Sequence, residues 1–127
     1  MLADANMTTL VAVKDLGEAS GFYEQTLGLT KVREDPGFVQ FRSGTSDLIV
    51  YVSEFAGSNK ATNAAWHVDD LEATVEELKS KGVTFEHYDN LPGTRRDGDI
   101  HDADGFKIAW LRDPTGNILE INNGLPS

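Results

Sequence analysis

The sequence predicts an α+β fold built from two βαβββ modules, and three observations carry that prediction. The stretch "LVAVKDLGEASGFYEQTLGL" returns in weak copy as "AAWHVDDLEATVEELKSKGV". Each copy is a short strand ending in Val-x-Asp-Leu that runs straight into a helix stopping at a glycine. The copies lie about half a chain apart, which indicates duplicated modules rather than a solenoid, because a solenoid needs more repeats to bury its core. Three strand-like runs then follow each helix.

The first helix has a start signal at Asp15, an N-cap residue with Glu18 three positions on as in a capping box. Leu16, Ala19, Phe22, Tyr23 and Leu27 then fall on one stripe of the helix surface. The second helix starts at Asp70 and buries Leu71, Val75 and Leu78, while Lys79 and Lys81 suit its negative end. Gly28 and Gly82 are placed as left-handed C-terminal caps. The strands after the first helix are "LTKVRE", "GFVQFRS" and "DLIVYVS"; those after the second are "VTFEHYD", "FKIAWLR" and "NILEIN". Helices on one face of a mixed sheet leave its other face free to curve around something. The stretch from Tyr88 to Gly105 lacks apolar periodicity and is expected to be a long ligand loop or lid.

Length and composition set limits on function. With 127 residues the chain is one domain large enough for its own core. The absence of cysteine excludes disulfides, zinc–thiolate sites and thiol nucleophiles. Eleven basic residues against 21 acidic ones give a net charge of −10, a field that repels phosphate backbones and favours a cationic ligand. Nucleic acid is therefore not an expected partner. The N-terminal "MLADANMTTL" has neither a basic flank nor an apolar run, so no membrane association and a cytoplasmic location are expected.

One residue departs from this plain pattern. Glu120 sits between Leu119 and Ile121 in an otherwise apolar last strand, on the face opposite to both. The preceding Asp113-Pro114-Thr115-Gly116 reads as a type I turn with a glycine bulge, and such a turn sets Trp110 across from Glu120 on the same face.

Paired βαβββ modules, "DLGEASGFYEQTLGL" and "WLRDPTGNILEI" together resemble the vicinal oxygen chelate superfamily, which contains glyoxalases, bleomycin-resistance proteins and extradiol dioxygenases. The resemblance spans residues 1–127 as a single glyoxalase/bleomycin-resistance-like domain, with modules at about 7–54 and 62–124. It implies a curved, mixed eight-stranded sheet around a ligand cavity, helices on the outer face, and a homodimer. It also implies a metal held by a His or Gln seven residues before each Val-x-Asp aspartate, with a Glu on the last strand and sometimes another on the fourth. Here those positions hold Thr8, Asn63, Glu120 and either Val50 or Tyr51. A divalent ion needs at least three good donors in fixed geometry, and hydroxyl and amide replace imidazole poorly. No metal ligand set and no cofactor are therefore expected.

Alternation supplies the rest of the lining. Thr8, Leu10 and Ala12 share one face of the first strand; Asn63, Ala65 and His67 share one face of the fifth. Glu120 reads either as a general base or ligand anchor, or as a remnant bonded to water or to Asn63. His67 reads as its partner in proton transfer or as a surface histidine bonded locally. Trp110 is a stacking platform or a core filler, and Trp66 by parity points under the helices. His87 and His101 fall on the outer strand and the long loop, and the Arg95-Arg96 pair there is either an anion clamp or solvated. The function expected is metal-independent binding of an amphipathic, aromatic or cationic small molecule. Its contacts are Leu10, Tyr51 and Trp110 for apolar area and Thr8, Asn63, His67 and Glu120 for orientation. The alternative is a glyoxalase-like lyase or isomerase with Glu120 as base and His67 as acid, with no metal or an atypical one.

Overall fold

The computed structural model describes residues 1–124, and the chain separates into two compact units, Met1–Asn59 and a second from Lys60 onward. Both are α+β. In the first, a 3-10 turn (Leu2–Asp4) precedes β1 (Thr9–Val13), the helix α1 (Leu16–Gly21), β2 (Thr30–Asp35), β3 (Phe38–Ser43) and β4 (Ser46–Val52). The second runs β5 (Thr62–His67), α2 (Leu71–Ser80), β6 (Phe85–Glu86), β7 (Arg95–Asp97), β8 (Ile100–Ala103), β9 (Phe106–Arg112) and β10 (Ile118–Asn122). None of the helices among the described residues is long and apolar enough to cross a membrane.

The helix signals act locally, as the sequence predicts. The Asp15 carboxylate accepts from the Glu18 N–H at 3.0 Å, and Asp70 accepts from the Ala73 N–H at 3.0 Å. Gly28 and Gly82 hold φ of 75° and 93°, where a Cβ is disfavoured. They let Leu29 and Val83 bond back to the Tyr23 and Leu78 carbonyls. The first stripe is altered in one respect. After Gly21 the backbone widens into a π-helical turn, Phe22–Thr26, with the Leu27 N–H reaching the Phe22 carbonyl. The extra residue rotates the buried face, so Ala19, Ser20 and Tyr23 are buried while Leu16, Phe22 and Leu27 are only half-buried.

In the first unit the strand order is β1-β4-β3-β2, with β1 parallel to β4 and the rest antiparallel. Val11, Val13, Val39, Phe41, Leu48 and Val50 are buried on the helix face. Register settles the fourth-strand alternative. Val50 is fully buried, and Tyr51, paired with Ala12 and Phe38, lies on the opposite, open face with Leu10. Thr8 stands just ahead of β1 and is exposed.

The second unit repeats this order as β5-β10-β9-β8, with β7 added outside β8. Here the eight strands expected become ten among the described residues, four in the first sheet and six in the second. "VTFEHYD" contributes only Phe85–Glu86, and the stretch expected to be a long ligand loop or lid holds the β7–β8 hairpin. The registers show why. β6 pairs with the C-terminal end of β9 (Phe85 with Leu111), and β8 pairs with its N-terminal end (His101 with Ile108). Together they occupy the edge that β2 fills in the first unit, split by an insertion over residues 87–99. β7 and β8 are charged and paired outward, so neither shows the apolar alternation that marks a buried strand.

Candidate functional site

The second sheet has two unlike faces. Phe85, Ala109, Leu111, Leu119 and Ile121 are buried on the side of α2, whose Leu71, Val75 and Leu78 are also buried. Trp66 shares this side through its pairing with Ile121, but it is half-buried rather than core, because β5 is an edge strand of the sheet. On the other face, ladder pairing brings Glu120 opposite Trp110, with Ala65 on its other flank. Asn122 lies between Ile108 and His67 on that same face.

The turn that sets this register is built around one buried carboxylate. Asp113 Oδ1 accepts from the backbone N–H groups of Thr115, Gly116 and Asn117 at 3.0, 3.0 and 2.9 Å. Its Oδ2 accepts from the Asn117 amide at 2.9 Å. The Gly116 N–H also meets the Asp113 carbonyl, and Gly116 takes a φ of 102°, the left-handed residue the bulge requires. Asn117 Oδ1 then accepts from the Asn63 amide at 3.2 Å. Asn63 is the extra residue of a bulge in β5, where the pairing steps from Thr62 to Ala64. Asn63 therefore bonds the turn, and the expected Asn63–Glu120 bond is replaced by bonds from Trp110 and Asn122 to Glu120.

Glu120 is held from both sides. Its Oε1 accepts from the Trp110 indole N–H at 3.1 Å, and its Oε2 accepts from the Asn122 amide at 2.8 Å. Asn122 is buried, and its Oδ1 accepts from the Gly124 N–H at 2.9 Å while lying 2.6 Å from His67 Nδ1. His67 is exposed and reaches Glu120 only through Asn122. The result is a chain, His67–Asn122–Glu120–Trp110, that explains how a carboxylate is tolerated in this strand: a half-buried charge with fixed N–H donors on both oxygens loses little of its solvation.

An aromatic cluster adjoins it. His101, which the sequence places on the long loop, is fully buried in β8, 4.8 Å from the Trp110 ring and edge-on to it. Tyr88, from the insertion, packs edge-on to Trp110 at 5.3 Å and against His101 at 5.9 Å. The Tyr88 N–H donates to His101 Nε2 at 2.9 Å, so that nitrogen carries the lone pair and the ring is neutral in this arrangement. Burial is the main force pulling the His101 pKa below its ordinary 6.5, with the Arg96 and His87 charges adding to it. A histidine buried neutral binds fewer protons than it does unfolded. Its contribution to stability is therefore complete above pH 6.5 and is lost as pH falls below that value. Chemical denaturation between pH 7.5 and 5 should show this loss, and a His101→Phe variant should show a flatter profile across the same window.

The insertion is stitched to itself and to α2. Asp99 binds His87 Nε2 at 2.8 Å and Lys79 at 2.9 Å, and these two partners hold its carboxyl below the usual range. Arg96 is tied to Asp89 at 2.6 Å and to the Gly98 carbonyl at 2.7 Å, so it does not serve as a free anion clamp. Arg95 is exposed and lines a polar cleft with Asp102, Lys107 and Glu72.

The donor set fits a metal ion badly. The groups aimed at Glu120 present N–H hydrogens rather than the lone pairs a metal ion needs, and the Asn63 amide is directed at Asn117. Among the described residues, no group of three or more His, Cys, Asp or Glu side chains could hold a metal ion.

Comparison with known proteins bears on the whole chain. A "Probable lactoylglutathione lyase" of Vibrio cholerae serotype O1 is 27% identical over 129 aligned positions, covering 89% of this chain and 86% of that one. The crystal structure of a lactoylglutathione lyase from Agrobacterium tumefaciens superposes with a TM-score of 0.70 at 22% identity, covering 94% of this chain and 92% of the other. A bleomycin-binding protein complexed with bleomycin superposes with a TM-score of 0.69 at 22% identity, covering 94% and 98%. These structures share the fold. A sequence model of the Glyoxalase/Bleomycin resistance protein/Dioxygenase superfamily matches residues 6–121, and on that match the chain belongs to this superfamily.

Proposed function

We propose that this protein binds a small molecule without a metal, as an aromatic or cationic ligand cup of the bleomycin-resistance type. The observation that carries the reading is the engagement of both Glu120 oxygens by Trp110 and Asn122. A carboxylate fixed in this way presents negative potential beside a half-buried indole, a combination suited to a planar cation. The net charge of −10 favours the approach of such a ligand. Tyr51 and Leu10, which share the open face of the first sheet, offer apolar area of the kind ligand sites use, and Thr8 and Asn63 are further polar candidates. A homodimer, as the resemblance implies, is part of the proposal.

The Vibrio relative's name favours a second reading, a lyase or isomerase with Glu120 as base and His67 as acid. Its weakness is that Trp110 and Asn122 each hold one lone pair of Glu120, so a substrate proton would have to reach one of those remaining on the same oxygens. Equilibrium dialysis against Ni(II), Zn(II) and Mn(II), with elemental analysis, separates the metal-independent site from a metal-dependent one. We expect less than a tenth of an equivalent retained after exchange into buffer with micromolar metal. One tight equivalent, lost in Glu120→Gln, would overturn the proposal.

A further inference from the structure

The chain of bonds around Asn122 fixes more than the position of Glu120. A backbone N–H can only donate, so the Asn122 atom that meets Gly124 N at 2.9 Å is the carbonyl oxygen. The amide nitrogen then faces Glu120, which as a carboxylate can only accept, and the two ends of Asn122 are assigned consistently. The same Oδ1 lies 2.6 Å from His67 Nδ1. An oxygen cannot donate, so Nδ1 must carry the hydrogen. In neutral His67 the lone pair is consequently on Nε2, the nitrogen not used by any described residue, on an exposed side chain at the end of β5.

We propose that His67, not Glu120, is the group of this face that accepts a hydrogen bond from the ligand, through Nε2. Asn122 is its positioning residue, and Glu120 acts through Asn122 by holding the amide in the orientation that fixes the imidazole. The ligand class this selects bears an N–H donor, such as an aromatic amine or an amidinium, beside its planar ring. This ligand assignment rests on the proposed function; the tautomer does not. The roles differ from those the sequence suggests, because each Glu120 oxygen already accepts one hydrogen bond while His67 Nε2 accepts none from the described residues.

Two measurements test the two halves separately. In long-range ¹H–¹⁵N spectra of the labelled full chain in alkaline buffer, Nδ1 should show the protonated, pyrrole-type shift and Nε2 the pyridine-type shift. Histidine in water favours the opposite tautomer, so finding Nε2–H in the wild type overturns the inference outright. Asn122→Ala should return His67 to the solvent tautomer; should that variant fail to fold, the wild-type spectrum alone decides. For the ligand half, proflavine, a planar cation with N–H donors, should bind His67→Ala about tenfold more weakly than wild type. Equal affinity for the two proteins removes His67 from the ligand contacts. Absence of proflavine binding to the wild type contradicts the proposed function and the ligand half with it, while the tautomer stands or falls on its own spectrum.

Discussion

Asp113→Ala is expected to lower the unfolding free energy by about 3–5 kcal/mol, among the largest effects available to a single substitution in this chain. Three backbone N–H groups and the Asn117 amide converge on a carboxylate that is 4% exposed. Alanine removes the carboxylate those donors share, though the Gly116 N–H keeps its bond to the residue-113 carbonyl, and each donor left buried and unsatisfied costs about 1–3 kcal/mol. Partial rearrangement of the turn keeps the total below their sum. Asp113→Asn should cost only about 1–2 kcal/mol, since its carbonyl oxygen can still accept from the three backbone groups. Urea denaturation of both variants reads the difference, and a near-equal loss for the two would show that charge rather than acceptor geometry stabilises the turn. Because this turn sets the pairing of Glu120 with Trp110, Asp113→Ala should also weaken ligand binding at temperatures where it remains folded.

Trp110→Ala should reduce affinity for proflavine about 30-fold, the effect of losing an aromatic anchor worth about 2 kcal/mol. The indole makes three kinds of contact at once: its N–H holds Glu120 Oε1, and its ring meets both His101 and Tyr88. Trp110→Phe separates these, keeping an aromatic surface and removing the donor, so its loss should be near fivefold, about 1 kcal/mol. Quenching of tryptophan emission on titration supplies the measurement in the wild type, with calorimetry for the variants. An unchanged affinity in Trp110→Ala would place the ligand away from this face.

Much of the frame was legible in the sequence because its signals are local. Asp15 and Asp70 cap their helices through bonds to residues three positions on, and Gly28 and Gly82 end them in the left-handed conformation. The Asp113–Gly116 turn allowed the pairing of Trp110 with Glu120 to be foreseen, since turn type fixes hairpin register. What escaped is non-local or polar. The charged β7–β8 hairpin lies at the sheet edge, where strands need no apolar face, so "TRRDGDIHDADG" gives no periodic signal. His101 is buried by partners from two other segments, Tyr88 and Trp110, that adjacency in sequence does not reveal.

The bonding of the site was partly recoverable. Asn122 follows Glu120 by two residues and so shares its face, a parity signal present in the sequence just past the strand's last apolar residue. Asn117 stands four residues after Asp113, close enough for its amide to close on the carboxylate. The link from His67 to Asn122 spans more than fifty residues and depends on the parallel pairing of β5 with β10, which no local pattern encodes.

The proflavine titration carried out on the wild-type protein in the presence of EDTA, and again with added Ni(II), tests most directly whether the protein's own groups make the site. Saturable binding of one molecule per chain, with the same affinity in both conditions, is the predicted result. Binding that vanishes in the chelator and returns with the metal would contradict it.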